Sequence, residues 1–396
     1  MSNHYLRGIL LKLQDRLSDD DRKRLHFFFG HDVPRRIRDD PSLGGTLSLM
    51  ECLFDEDKIN EQDFTFLIQA FEAIQCIDAA QLLRGNFGSL INALLFVVVN
   101  ARWAQNGVTV AGDNRRGNAT NQLNRPFGFF VDDDQTAFIA DFENHRIIKW
   151  KIGDTNGTVI LGGLDRGNRW DQLDRPTDVL SDIEPDSLII CDRWNRRVVR
   201  WSRRCGTIQR ELLVDNTECW GLAMDDQGYL YISDTDKHEV RRYQIGDKNG
   251  TIVAGGHGEG AGLNQLNRPT FIFIDQQQVV YVSDYENHRV MKWNKNKTEG
   301  IIVAGGQGGG NALTQLSYPY GLFVDKSGTL YVADTGNHRV MRWSKGAKQG
   351  TILVGENGSG AGANQLLSPT GLSFDRHGNL YVTDQENHRV QRFSIK

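Results

Sequence analysis

The sequence predicts a chain of two unlike parts, an all-α bundle of six helices followed by an all-β propeller of six blades. Three observations predict it. A short phrase, Asn-His-Arg ahead of a strand-like run, recurs in the second part as NHRIIKW (144–150), NHRVMKW (287–293), NHRVMRW (337–343) and NHRVQRF (387–393). An aspartate ahead of that phrase keeps a beat at Asp141, Asp192, Asp234, Asp284, Asp334 and Asp384, in steps of 51, 42, 50, 50 and 50 residues. The first 85 residues lack this beat and carry helical periodicity instead.

In that first part, Leu6, Leu10, Leu13 and Leu17 form one apolar stripe, and Phe64, Leu67, Phe71 and Ile74 another. Ser18 with Asp21, and Asn60 with Asp63, read as helix starts of the capping-box kind. Pro34 suits the first turn of a short helix. The expected helices span residues 4–15, 19–29, 35–39, 46–54, 61–74 and 77–95. An apolar run, LINALLFVVV (90–99), follows. It is about half the length needed to span a bilayer. It reads as a buried helix or strand between the two parts, or as a leftover secretory core. MSNHYLRGIL at the N-terminus has no apolar signal core. The expected division is therefore a helical domain over 1–85, an apolar linker over 86–106 and a propeller over 107–396.

Each repeat of the second part reads as four short strands. In the fifth these are GLFVD (321–325), LYVAD (330–334), RVMRW (339–343) and TILVG (351–355). A tight turn, Asp325 to Gly328, joins the first two. Four strands at a period near 50 predict propeller blades. The last repeat ends after its third strand, while GVTVAG (107–112) is a fourth strand with no blade before it. Pairing the two closes the ring and removes both sheet edges.

Composition narrows the function. The net charge is -4 and the pI about 6.2, which speaks against a dedicated nucleic-acid binder. Cys52, Cys76, Cys191, Cys205 and Cys219 are odd in number and have no CxxC spacing, so no disulfide framework is signalled and a reduced, cytoplasmic chain is expected. A pairing of Cys205 with Cys219 stays open. Five Asn-x-Ser/Thr sequons, at Asn118, Asn156, Asn249, Asn296 and Asn357, fit the alternative of a propeller derived from a secreted ancestor. Three of these are also Asn-Gly pairs, which a turn alone would explain.

His145, His238, His288, His338 and His388 occupy one place per blade, between the second and third strands. Strands lie about 4.8 Å apart, so these turns stand two or three spacings from the innermost strand. On a six-fold ring such histidines are separated by roughly 10 Å or more, whereas zinc needs every ligand at about 2.1 Å. We therefore expect no metal and no cofactor there. Asp141, Asn144, His145, Asp284, Asn287, His288, Asp334, Asn337, His338, Asp384, Asn387 and His388 are expected to build blade corners by local or inter-blade hydrogen bonds. The Gly-rich connections GGHGEGAGLNQLNRP (255–269), GGQGGGNALTQLSYP (305–319) and GENGSGAGANQLLSP (355–369) share a face with these corners. Each has a Gln-Leu pair whose leucine is expected to plug between blades. That face, around the central channel, is the expected ligand surface.

The phrase Asn-His-Arg-hydrophobic at Asn144, Asn287, Asn337 and Asn387, with the frame P-x-G-L-x-x-D…L-Y-V-x-D at 319–334 and 369–384, resembles NHL repeats over about 290 residues. The second repeat departs with Asn195-Arg196-Arg197. The third departs with Lys237-His238-Glu239, lacks the Gly-rich connection and is about eight residues shorter. The stretch LSDDDRKRLHFFFGHDVPRR…LSLMECLFDEDKINEQDFTFLIQAFEAIQCIDAAQLL resembles a death effector domain, which implies a death-fold bundle and homotypic partners in apoptotic or innate-immune signalling. The resemblance assigns Phe27 to an exposed helix, Arg35 and Arg36 to a basic patch, and Asp21 and Asp78 to a charge triad whose arginine is replaced by Cys76. Together these readings predict a non-enzymatic adaptor that joins a death-fold contact to protein or ligand binding by the propeller. The resemblance to NHL propellers leaves a metal-dependent lyase or hydrolase, and RNA binding, as alternatives. For RNA the candidate is the run Arg193, Arg196, Arg197, Arg200, Arg203 and Arg204.

Overall fold

The computed structural model describes residues 18–28, 49 and 70 of the first hundred, and residues 102–396 apart from 113–114, 133, 164, 183–186, 203–209 and 376. The chain divides into two compact units, Met1–Phe96 and Val97–Lys396. In the first, helix α1 spans Asp19–Phe28, inside the expected 19–29. It begins with a reciprocal cap: the Asp21 amide donates to Ser18 Oγ at 3.1 Å, while the Ser18 amide donates to the Asp21 carboxylate at 3.0 Å. Two helix-start donors that lack intrahelical partners are thereby satisfied. The other five expected helices and the apolar run 90–99 fall on residues outside the described set, apart from isolated positions.

The second unit is a six-bladed β-propeller of four-stranded antiparallel sheets. Blade 1 runs through Pro126–Val131, Thr136–Asp141, Arg146–Lys151 and Thr158–Gly162. Blade 2 uses Pro176–Asp182, Ser187–Asp192, Arg197–Ser202 and Arg210–Asp215. Blade 3 uses Cys219–Met224, Leu230–Asp234, Glu239–Tyr243 and Thr251–Gly255. Blades 4 and 5 repeat the order over 269–305 and 319–354. Blade 6 has Pro369–Phe374, Leu380–Asp384 and Arg389–Phe393, and its fourth strand is Val108–Ala111. That strand pairs Val108 with Arg392, Thr109 with Gln391 and Ala111 with Val390. Just before it, the indole of Trp103 is 2% exposed and donates to the Gly378 carbonyl at 2.9 Å. The closure expected from the sequence is thus present, with Val108–Ala111 as the outer strand of blade 6.

The core lies between blades, because each twisted sheet buries one face against the next. Leu123, Leu173, Leu266, Leu316 and Leu366, the leucines of the Gln-Leu pairs, are fully buried at five of the six junctions. Leu266, for example, packs with Tyr231, Val240 and Ala254 of blade 3 and with Ile272, Val282 and Met291 of blade 4. The sixth junction, between blades 2 and 3, has only Asp215 to Glu218 as its connection and no such leucine. There Cys191 and Cys219 are joined by a disulfide, with Cα atoms 5.8 Å apart. The expectation of unpaired cysteines is therefore corrected, and the partner of Cys219 is Cys191 rather than Cys205. The reason is positional. The residue just ahead of the corner aspartate faces the inner strand of the next blade: Ser233 donates to the Thr270 carbonyl, Ser283 to Tyr320 and Thr383 to Phe127. In blade 2 that position is Cys191, and it meets Cys219 at the head of the next inner strand.

Candidate functional site at the channel mouth

Every described corner is a small hydrogen-bonded frame. In blade 1 the buried Asp141 accepts from the Asn124 amide, Asn144 Nδ2 and Arg146 Nε, each at 2.7 Å. Arg146 also donates to the carbonyls of Asn118, Ala119 and Gln122, clamping the connection that enters its own blade. Blades 4, 5 and 6 repeat this with Arg289, Arg339 and Arg389 on Asp284, Asp334 and Asp384. A bent loop holds its carbonyls where helix and sheet partners cannot reach them, and a guanidinium supplies several donors at once.

The histidines take a different part. His145, His238, His288, His338 and His388 all have φ near +50°. Each uses Nδ1 to accept the backbone amide at the entry to the next blade, from Arg175, Arg268, Tyr318, Ser368 and Arg125 respectively, all at 3.1 Å. An Nδ1 that accepts carries no proton. Burial lowers the pKa of His145 and of His388, which favours this neutral form. Among the described residues no group of three His, Cys, Asp or Glu side chains is placed to hold a metal ion.

Blade 2 breaks the pattern, with consequences across the face. Its corner carries Arg196 in place of histidine, again with positive φ. Arg196 reaches the Asp236 carboxylate of the blade 3 corner at 2.6 Å. At two other junctions the arginine entering a blade pairs with the acid of the preceding corner: Arg125 with Glu386 at 3.1 Å and Arg175 with Glu143 at 3.2 Å. By the same geometry Arg268, entering blade 4, should pair with Asp236. Arg196 has taken that acid, and Arg268 is left exposed without an ion pair among the described residues. Arg268 lines a cleft of about 510 Å³ between blades 3 and 4, together with Thr235, Asp236, His238, Glu259 and Glu286.

Beside this cleft the channel is filled by aromatic rings. The second residue of each inner strand alternates around the ring: Phe127, Thr177, Trp220, Thr270, Tyr320 and Thr370. Large side chains thus come from blades 1, 3 and 5, and threonines from the blades between. Ring centroids lie 5.5 Å apart for Phe127–Trp220, 5.8 Å for Phe127–Tyr320 and 5.5 Å for Trp220–Tyr320. Phe142 and Tyr285, from the corners of blades 1 and 4, cap this layer at 4.7 Å from Phe127 and 4.9 Å from Tyr320. The Arg193 guanidinium stacks 4.1 Å from the Trp220 ring and is paired to Glu218. Burial raises the Tyr320 phenol well above its ordinary pKa, so the ring stays neutral and can donate.

One level further along the inner strands stand Gly128, Asp178, Gly221, Phe271, Gly321 and Gly371. Asp178 is the single acid in this ring, and its carboxylate accepts the amides of Val179 and Leu222, both at 2.9 Å. Gly128 makes room for it, since a Cβ there would lie 2.1 Å from Asp178 Oδ1. Burial pushes the Asp178 carboxyl up to about 7, against the pull of the two amides.

The residues singled out from the sequence are distributed as follows. The corner Asp, Asn and His residues do not converge on a point; they bind loop and neighbouring-blade backbone. Asp21 lies in α1, occupied by its cap, and Phe27 is a backbone member of α1. Arg35, Arg36 and Asp78 lie outside the described residues. The described arginines of blade 2 are not a free basic patch. Arg197 holds Asp192 and three loop carbonyls, Arg200 holds Asp182 and Glu211, and Arg193 and Arg196 pair with Glu218 and Asp236. Sequence reading missed Arg268, the aromatic–threonine alternation and Asp178. Aligning the five Pro-x-x triplets at the inner strands with Cys219-Trp220-Gly221 of blade 3 exposes the last two.

Six radial four-stranded sheets with a repeated Asp…Asn-His-Arg corner define a β-propeller of short-repeat type. Residues 316–342 and 366–393 match the NHL repeat, and the chain carries NHL repeats. No curated protein matches it in sequence. Similar solved structures include a protein of unknown function from Bacteroides thetaiotaomicron, 14% identical, with a TM-score of 0.60 over 74% of this chain and 77% of that one. An auxiliary nutrient binding protein from the same organism is 16% identical, with a TM-score of 0.59 over 75% and 78%. A putative phosphatase, also from that organism, is 14% identical, with a TM-score of 0.57 over 75% and 79%. At these identities the likeness is one of fold.

Proposed function

We propose that this chain is a non-enzymatic adaptor whose propeller binds a protein or other ligand at the channel mouth. The observation that carries the reading is Arg268. It is a cation deprived of its expected acid by Arg196, beside a cleft and a layer of aromatic rings. An unpaired guanidinium next to aromatic faces suits a ligand that brings an acidic group and an apolar one. That one of the similar folds is a binding protein is in keeping with this. The helical part, residues 1–85, is proposed to make a homotypic contact with another death-fold domain, using Phe27, Arg35, Arg36 and Asp78. The support is its sequence resemblance and the capped helix α1.

Capture from a lysate of the native source tests both parts on the full chain. Arg268→Ala and Tyr285→Ala should each lose a set of captured partners that Arg35→Glu plus Arg36→Glu retains, and the reverse for helical partners. Identical captures by all variants would refute the assignment. The enzymatic alternative predicts stoichiometric metal in the purified chain. The RNA alternative predicts salt-sensitive binding weakened by Arg196→Ala plus Arg197→Ala.

A further inference from the structure

The five sequons are not equivalent once their backbone is known. All five asparagines are exposed. One has a conformational reason to be there. Asn296 has φ +62° in the turn between the third and fourth strands of blade 4, where blades 1, 3 and 5 place Gly153, Gly246 and Gly346, all at positive φ. Asparagine is the residue that best replaces glycine in that conformation. Asn357 precedes Gly358, whose φ is +74°, but blades 3 and 4 place His257 and Gln307 before the matching Gly258 and Gly308, both at φ +78°, so that turn requires the glycine alone.

Asn156 and Asn249 have no such reason. They occupy the same place in blades 1 and 3, one residue before Gly157 and Gly250, and neither glycine lies in the left-handed region. These glycines are needed because side chains lie over them, Ile148 and Trp150 at Gly157 and Tyr243 at Gly250. An added Cβ would approach Trp150 to 2.8 Å at Gly157 and Tyr243 to 2.6 Å at Gly250. Blades 4 and 5 have the same glycine under Trp293 and Trp343, yet place Glu299 and Gln349 before it. The turn therefore demands the glycine and is indifferent to the asparagine. Two residues on, Thr158 and Thr251 open the fourth strands with exposed side chains. Asn249 has no side-chain hydrogen bond among the described residues, whereas Asn156 accepts from the Thr120 hydroxyl at 3.3 Å and donates to Thr155 Oγ1 at 3.1 Å, both exposed contacts that a glycan would replace.

A second observation points the same way independently. The disulfide between Cys191 and Cys219 takes the place of the buried leucine at one junction. Structural disulfides belong to oxidising compartments, the ones in which sequons are glycosylated.

We propose that Asn249 and Asn156 are N-linked glycan acceptors and that the propeller matures in an oxidising, glycosylating compartment; this replaces the cytoplasmic expectation and does not rest on the death-fold contact proposed for residues 1–85. The donor is a lipid pyrophosphate-linked oligosaccharide. Asn Nδ2 forms a bond to its anomeric carbon, the bond from that carbon to the pyrophosphate oxygen breaks, and the pyrophosphate leaves with the electron pair while Nδ2 gives up one proton. The glycans stand on the outer turns of blades 1 and 3, away from the corners, and leave the channel mouth open.

The test is mass spectrometry of the full chain isolated from its native source, before and after an amidase that releases N-glycans in ¹⁸O water. Both asparagines should appear as ¹⁸O-labelled aspartate, Cys191 and Cys219 should appear as a linked peptide, and the chain should migrate faster after treatment. Asn249→Gln places at this turn the residue that blade 5 carries there, so the fold is kept and one glycan's mobility shift is lost. Unmodified Asn249 and Asn156, or glycans confined to Asn296, would overturn the proposal. Free thiols at both cysteines would also count against it.

Discussion

Replacing both Cys191 and Cys219 by serine should loosen one junction of the ring and leave five intact. The cysteines are separated by 28 residues. Cross-linking a loop of about that length removes roughly 12 cal/mol/K from the unfolded chain, or about 3.6 kcal/mol at 25 °C. The propeller unit spans 97–396. At roughly 2.1 cal/mol/K per residue, its unfolding entropy is near 0.6 kcal/mol/K, so Tm should fall by about 6 °C. Scanning calorimetry of the full chain reads the shift. Hydrogen exchange locates it: amides of Ser187–Asp192 and Cys219–Met224 should exchange faster, while those around Leu316 and Leu366 stay unchanged. A fall below about 1 °C, or loosening spread evenly over six blades, would refute the view that the disulfide stands in for the missing leucine.

Three further outcomes are expected. Leu266→Ala removes a fully buried plug and should destabilise the propeller by about 2–5 kcal/mol in denaturant unfolding, with Leu263→Ala on the exposed loop near zero. Asp178 should impose a pH dependence. Its folded pKa of about 7 exceeds the ordinary aspartate value of 3.8, so the folded state holds the proton longer. Its stabilising contribution is then complete below about pH 4 and is lost as pH rises to about 7; Asp178→Asn should flatten that slope in urea titrations at successive pH values. Ser18→Ala removes the reciprocal cap of α1 and should cost about 1 kcal/mol, read as lower helicity by circular dichroism.

Much of the propeller could be read from the sequence because it depends on repetition. Asp141, Asn144, His145 and Arg146 recur at a fixed beat, and the unpaired strand at Val108–Ala111 had only one sheet edge to join. The start of α1 was readable for a local reason, since Ser18 and Asp21 are close in sequence. What was hidden depends on neighbours far apart in the chain. Cys191 and Cys219 face each other only because the position before a corner aspartate meets the head of the next inner strand. Arg268 looks like Arg125 and Arg175 until Arg196, 72 residues earlier, is seen to hold its acid. The alternation of Phe127, Trp220 and Tyr320 with threonines is unremarkable in any one blade and becomes a filled channel only when six inner strands meet on one axis.

The most direct test of the binding account leaves Arg268 untouched. Arg196→His restores the residue that the other corners carry and releases Asp236 to pair with Arg268. Partner capture by this full-length variant should fall to the level of Arg268→Ala. Capture equal to that of the unaltered chain would contradict the claim that a stolen carboxylate creates the site.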